Sequence, residues 1–346
     1  MRNIQDLEGK VYLTSSACMS VWADALSWAN AHPEKVSKNP QEAENLVVLS
    51  CQVTDLAILN DLRTMERLHQ DYPGKKYLFS GCLSKRKDVE LPGFAERLET
   101  PKENYQFLFD RSLVHFEKPF WVKDFNEKDG EKEDGHLFRN MYPLRIGKGC
   151  PNRCTYCTIR ITRGDFEQYT SSKLEEEFLA FDNVLLVADS PTFQQLKEWY
   201  SLAIKYNRGF SIRNVEPSVT VQLENELRDL AERGLLKVYH SPIQSNNPEV
   251  LRDMHRSVDD TLRTIEIARE LKEKGVYIAT NIIIDYKDFP QDFSEIYKLY
   301  DYVSWNPLWD GKWDRKKAEE RFEKYLGAGA DSNPTLQKIR EIEARK

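Results

Sequence analysis

Short apolar runs rich in β-branched residues alternate with amphipathic helical stretches along most of this chain, and that alternation narrows its fold more than any other feature. "KVYLTS" (10–15), "NLVVLS" (45–50) and "KKYLFSG" (75–81) read as buried strands. Between them lie "VWADALSWANA" (21–31), ended by Pro33, and "DLAILNDLRTMERLHQD" (55–71), stopped by Pro73 and Gly74. Strands separated by helices imply parallel pairing, because a parallel crossover needs a connection of that length. The first part is therefore expected to be α/β, a doubly wound parallel sheet.

A second alternation begins near residue 138. Its candidate strands are "YPLRIG" (142–147), "NVLLVA" (183–188), "FSIRNV" (210–215), "KVYHS" (237–241), "VYIATNIII" (276–284) and "YDYVSW" (300–305). Helical patterns at 172–181, 221–234 and 259–275 lie between them. Six such units curl into a partial (β/α)6 barrel, whose chemistry belongs at the strand C-termini. "KDFNEKDGEKEDGH" (123–136) has dense mixed charge and no apolar periodicity, so it reads as a solvated linker. The expected organisation is a domain over 1–122, a linker over 123–137, a barrel over 138–305 and a short helical extension over 306–346.

The cysteines fall at telling places in this pattern. Cys18 lies just beyond the first strand, Cys51 directly follows the second, and Cys82 comes one glycine after the third. All strands of a parallel sheet open on one edge, where ligands usually bind, so these three are expected to meet in space. Buried cysteines packing as small hydrophobes are the alternative. Cys150, Cys154 and Cys157 form a C-x3-C-x2-C array in "KGCPNRCTYCTIRITRG" (148–164), after the first barrel strand. A cube of four irons normally takes four cysteines. With three, one iron keeps a site for a small molecule. Zinc with a histidine as fourth ligand is the competing reading. The nearest preceding histidine is His136, at poor spacing, and none follows closely.

Composition bounds the function. A net charge of −6 with a pI near 5.7 argues against a protein that coats nucleic acid without specificity, while leaving room for a local basic patch. No apolar run approaches a membrane span, and the N-terminus lacks a secretory signal's apolar core, so a cytoplasmic location with no membrane contact is expected. In that compartment six cysteines point to metal or redox chemistry before disulfides.

On these residues the chain resembles the radical S-adenosylmethionine enzymes, and more closely their methylthiotransferases. "LRIGKGCPNRCTYCTIRITRG" is similar to the cluster segment of that family. "SACMS", "LSCQVTD" and "FSGCLSKR" resemble its three N-terminal cysteine motifs, and "HSPIQSNNPEVLRDMHR" (240–256) its "PVQSGS…L..M.R" segment. The likeness runs from about residue 10 to about 285. It implies a [4Fe–4S] cluster on Cys150, Cys154 and Cys157 that binds S-adenosylmethionine and cleaves it to a 5′-deoxyadenosyl radical. It implies a second, auxiliary [4Fe–4S] cluster on Cys18, Cys51 and Cys82, whose open iron carries sulfur to be methylated and delivered to a substrate carbon.

Tyr156 matches the family's usual aromatic before the third cysteine. With Asp189, Gln244 and Ser245, at or after strand ends, it is a candidate for binding S-adenosylmethionine. Gln244 and Ser245 match the family's "QS" pair. Arg160, Arg163, Arg213 and Glu216 are candidates for substrate. His240 reads as a hydrogen-bonded core histidine. "IIIDYKDFPQD" (282–292) departs from the family's glycine-rich turn after the fifth barrel strand, and "CTIR" replaces its "CIIP". The family's C-terminal TRAM β-barrel is expected to be missing. Trp305, Trp309 and Trp313 lie among Lys312, Arg315, Lys316 and Lys317, a group able to stack on bases and meet phosphate. Packing against the barrel is the alternative.

The implied activity is methylthio insertion at C2 of an N6-modified adenosine beside the anticodon of tRNA. The isopentenyl form comes first and the threonylcarbamoyl form second. The implied partners are the anticodon stem-loop and a reductant such as flavodoxin or ferredoxin, with the protein a monomer. The alternatives are methylthiolation of a ribosomal protein aspartate, and a non-catalytic metal-cluster RNA-binding protein.

Overall fold

The computed structural model describes residues 3–15, 18–99, 110–116, 141–169, 172–287 and 289–345. The expected linker at 123–137 lies outside them. The chain divides into two compact units. The first is Met1–Phe125 with Ile161–Arg163 and Gly311–Gly327, and the second is Asn126–Arg160, Gly164–Asp310 and Ala328–Lys346.

The first unit holds β1 (Val11–Ser15), α1 (Met19–Ala31), β2 (Asn45–Ser50), α2 (Asp55–Asp71), β3 (Lys76–Gly81), β4 (Ala95–Arg97) and β5 (Val114–Phe116). The strands pair in parallel in the order β4-β3-β2-β1-β5. β5 returns to the other side of β1, and this reversal makes the sheet doubly wound. Every residue of β1 and β2 is buried, as expected of strands covered on both faces, which read as continuous apolar runs. The three-residue strands β4 and β5 are too short to show a period, and the sequence reading passes over them.

The second unit begins with β6 (Tyr142–Arg145), β7 (Gly147–Lys148), the first two residues of the short helix α3 (Ile159–Arg163), whose last three belong to the first unit, β8 (Glu167–Gln168), α4 (Ser172–Ala180), β9 (Val184–Val187) and α5 (Phe193–Tyr206). It continues with β10 (Phe210–Ile212), α6 (Pro217–Gln222), α7 (Glu224–Glu232), β11 (Leu236–His240), α8 (Pro248–Asp253) and α9 (Val258–Glu273). It ends with β12 (Tyr277–Ile284), α10 (Ser294–Leu299) and β13 (Tyr302–Pro307). Six strands form one sheet, β6-β9-β10-β11-β12-β13, all parallel. Here the order follows the chain without reversal, the winding of a barrel. Each of the six expected strands is present, trimmed or shifted by one to three residues. The helix expected over 221–234 is interrupted at Leu223, which is fully buried with φ −105° and ψ 16°.

The C-terminal region is helical. α11 (Arg315–Tyr325) packs on α2 in the first unit, and α12 (Pro334–Glu343) packs on α10 in the second. Among the described residues no helix is long and apolar enough to cross a membrane.

Candidate active site

In the first unit, three strand ends deliver the three cysteines. Cys18 is the residue before α1, and Cys51 follows β2 directly, its amide donating to Asp61 Oδ2 at 2.7 Å. Cys82 follows Gly81, and its amide donates to the Ser50 carbonyl at 3.1 Å. Gly81 has φ +83°, and a Cβ there would lie 2.6 Å from the Ser50 oxygen, so only glycine lets β3 turn this close to β2. Cys51 and Cys82 are buried. Burial raises the Cys51 pKa well above its ordinary value, and the neighbouring Cys18 and Cys82 raise it further. The three thiols thus share one locality, as their strand-end positions lead one to expect.

The same unit contains Arg163, whose Nη2 lies 2.9 Å from Asp24 Oδ2, with both side chains largely buried. Arg163, a substrate candidate on the sequence, is thus engaged in an ion pair. Beside it, Thr162 Oγ1 accepts from Gln52 Nε2 at 2.7 Å.

In the second unit, β7 and β8 pair antiparallel and close the base of the cysteine loop. Gly149, at φ +76°, passes so near the returning chain that a Cβ would lie 2.1 Å from the Asp165 carbonyl oxygen. Its amide donates to Asp189 Oδ2 at 2.8 Å, and Arg145 Nη2 lies 3.6 Å from the same oxygen. Asp189, just past β9, is therefore the anchor of the residue preceding Cys150. The Cys150 thiol accepts from the Asn152 amide at 3.4 Å.

Burial pushes up the pKa values of Cys150, Cys154 and Cys157, that of Cys157 to about 12. Cys154 is raised further by Cys150, and Cys157 by both others, as neighbouring thiols do. Three desolvated thiolates repel unless a cation lies among them, and loading a metal there must release protons. Among the described residues no three of His, Cys, Asp or Glu are drawn closely enough to clasp one metal ion. Three thiolate donors are the ligand chemistry that a four-iron cube with one open iron takes.

Around the loop, Tyr156 accepts at its hydroxyl from Arg256 Nη1 at 3.1 Å. Burial holds the Tyr156 pKa well above its usual value, so the phenol stays neutral. Arg256, almost wholly buried, also pairs with Glu216 Oε1 at 3.2 Å and donates from Nη2 to the Pro242 carbonyl at 2.7 Å. Burial raises the Glu216 pKa, and Arg256 opposes the rise. The sequence reading does not single out Arg256. The available signal is the arginine that ends "DMHR". Arg213 is buried just past β10, and Arg160 is half-exposed, its Nε 3.0 Å from Asp165 Oδ1.

The strand ends carry unusual backbone. Asn214, Gln244 and Asp285, after β10, β11 and β12, have φ of +64°, +66° and +50°. Left-handed residues other than glycine persist only where surroundings over-determine them, and they gather at functional sites. Gln244 is held by its amide to the Asn281 carbonyl and by its carbonyl to the Ile283 amide, each at 2.8 Å. Ser245 is fully buried, its hydroxyl accepting from Gln291 Nε2 at 3.1 Å. His240 Nδ1 accepts from the Asn214 amide at 3.0 Å, which leaves Nε2 to donate to Asn281 Oδ1 at 2.8 Å. Both ring nitrogens are used within the core, in agreement with the structural role read from the sequence.

Residues 144–300 match the family model described as the Radical SAM superfamily. The chain is 26% identical to the ribosomal protein uS12 methylthiotransferase RimO of Carboxydothermus hydrogenoformans, over 77% of this chain and 65% of that protein. It is 23% identical to a probable threonylcarbamoyladenosine tRNA methylthiotransferase of Methanocaldococcus jannaschii, over 81% of this chain and 70% of that one. A solved radical S-adenosylmethionine methyltransferase, TsrM of Kitasatospora setae, superposes with a TM-score of 0.49 at 12% identity, over 84% of this chain and 70% of its own. The chain spans about two thirds of the length of these curated relatives. A radical SAM domain thus spans residues 144–300, with the three-cysteine loop at its first strand end; such a domain implies a [4Fe–4S] cluster and S-adenosylmethionine, and along most of its length the chain is similar to methylthiotransferases.

Proposed function

We propose that the protein is a methylthiotransferase acting on an unactivated C–H bond, with C2 of an N6-modified adenosine in tRNA as its substrate carbon. The observation that carries this reading is the presence of two cysteine trios, one per unit, the first spread over the C-terminal ends of three parallel strands and the second within the loop that follows β6 and β7. When bound, the barrel cluster and S-adenosylmethionine supply a radical able to abstract hydrogen from carbon that acid–base chemistry leaves untouched. Cys150, Cys154 and Cys157 would hold that cluster. Asp189 fixes the loop through Gly149, and the Arg256–Glu216 pair steadies Tyr156. Cys18, Cys51 and Cys82 would hold the second cluster, with Asp61 and Ser50 fixing the backbone at two of them.

An RNA substrate is supported by the exposed basic run at the start of α11, where Lys316 is 86% exposed and Lys317 is also exposed. Such residues meet phosphate and set register without reading bases. The threonylcarbamoyl form of the adenosine now comes ahead of the isopentenyl form, because the Methanocaldococcus relative bears that name. The second reading, an aspartate of ribosomal protein uS12, is favoured by the Carboxydothermus relative. In either case the protein would work in the cytoplasm, fed by a low-potential reductant such as flavodoxin or ferredoxin.

One experiment separates these readings. Anaerobically reconstituted protein is incubated with dithionite, S-adenosylmethionine and either bulk tRNA or uS12, and the nucleosides and peptides are weighed. A methylthio mass gain on an adenosine supports the first reading. A gain on the peptide alone replaces it with the second, and a gain on neither removes both.

A further inference from the structure

The turn that follows β12, "DYKDFPQ" (285–291), contains no glycine, yet Asp285 and Lys287 both have left-handed φ, +50° and +51°. The surroundings hold them there through side chains. Thr335 Oγ1, in the first turn of α12, donates to Asp285 Oδ1 at 2.6 Å. Tyr286 is buried, and its hydroxyl donates to Asp253 Oδ2 at 2.6 Å. Lys287 Nζ pairs with the same carboxylate oxygen. Gln291 bridges, its Oε1 accepting from the Tyr286 amide at 3.4 Å and its Nε2 donating to Ser245.

The other side of Asp253 reaches the cysteine loop. Its carbonyl accepts from Thr155 Oγ1 at 3.0 Å, and the Thr155 amide donates to the Met254 carbonyl at 3.3 Å. Thr155 is the neighbour of Cys154. Tyr156 packs, together with Phe289 and Leu308, on a small core of Val250, Met254, Ile283 and Tyr286. A continuous path of hydrogen bonds and packing thus runs from α12 through the turn to the loop between the second and third cysteines. Every residue in it belongs to the second unit.

We propose that α12 braces the cysteine loop, with Thr335 acting through Asp285, and Tyr286 acting through Asp253, as positioning residues for S-adenosylmethionine binding. The inference rests on the radical SAM reading and deepens it. A glycine-rich turn adopts left-handed φ at no steric cost. This turn adopts it only while its side chains are held, so the geometry of the strand end depends on the C-terminal helix.

The test uses the full chain, reconstituted anaerobically, in four forms: unaltered, Thr335→Val, Thr335→Ser and Tyr286→Phe. Valine keeps the shape of threonine and loses the hydroxyl, serine keeps the hydroxyl, and phenylalanine keeps the ring. Iron content and Tm report folding. The electron paramagnetic resonance spectrum of the reduced cluster, titrated with S-adenosylmethionine, gives a Kd and a line shape. Thr335→Val and Tyr286→Phe are expected to raise the Kd about five- to tenfold, the effect of losing one buried hydrogen bond, with iron content unchanged. Thr335→Ser is expected to stay within about twofold of the unaltered protein, since its hydroxyl still bonds.

If all four forms titrate alike, even with a lowered Tm, the brace is merely structural and the proposal is overturned. If the unaltered protein's spectrum ignores S-adenosylmethionine, the radical SAM reading fails first and takes the proposal with it. Should Thr335→Val not fold, Tyr286→Phe decides by the same titration.

Discussion

Asp189 accepts the Gly149 amide hydrogen at 2.8 Å, and through that single bond the end of β9 sets where the cysteine loop begins. The carboxylate is almost fully buried and has Arg145, equally buried, 3.6 Å away. Removing one member of such a pair leaves a charge without compensation in a dry site. Asp189→Ala is therefore expected to cost about 3–5 kcal/mol of stability. Anaerobic urea denaturation measures this. A change under about 1 kcal/mol would show that solvent reaches Arg145 when Asp189 is gone.

Gly149→Ala tests the same loop from the backbone side. The added Cβ would lie 2.1 Å from the Asp165 carbonyl oxygen, a clash with main chain that no rotamer can relieve, at φ +76°. The variant is expected to lose the iron of the barrel cluster while the first unit's iron remains. Iron analysis alongside the cluster's visible absorbance checks it, and full iron content would mean that the loop reshapes without loss.

The cysteine trios should separate cleanly by stoichiometry. Replacing Cys150, Cys154 and Cys157 together with alanine is expected to remove about four irons per chain, and replacing Cys18, Cys51 and Cys82 another four. A protein that holds about four irons in total, all lost with the first set, would remove the auxiliary cluster.

The raised thiol pKa values give a sign for pH. Cys157 is pushed up to about 12 by burial, with the other two cysteines adding to the rise. Only the thiolate reacts, and it is the minor form at every pH below that value. In metal-free protein, alkylation of Cys157 should climb about tenfold per pH unit between pH 7 and 11, where an ordinary thiol levels off above about 8.5. Mass-spectrometric labelling rates at each cysteine measure this. A plateau near pH 9 would show that the site opens once metal is absent.

Lys316 and Lys317 offer a test of the RNA reading that does not require turnover. Each lysine withdrawn from a phosphate should lower the slope of log affinity against log salt by about 1. The double change to glutamate should therefore flatten the salt dependence of tRNA binding and weaken it, while leaving iron content unaltered. An unchanged slope would place the RNA elsewhere or remove it.

What the chain determined by sequence alone was its patterned part. The continuous apolar runs of β1, β2, β3 and the barrel strands, and the three-to-four-residue periods of α2 and α9, follow from which side chains must leave water, and burial of that kind is written locally. The C-x3-C-x2-C array was equally legible, because its ligands lie within one short loop. The strand-end positions of Cys18, Cys51 and Cys82 were legible too, since parallel strands share an edge. Tertiary structure alone decided the partners of the polar groups. That Asp189 serves Gly149, that Arg163 pairs with Asp24, that Arg256 joins Glu216 to Tyr156, and that Thr335 reaches Asp285 depend on residues 40, 139, 40 and 100, and 50 positions apart. A charged side chain carries no periodic mark of its partner. The pairing is set by which groups the fold desolvates together, and that is known only once the sheets have closed.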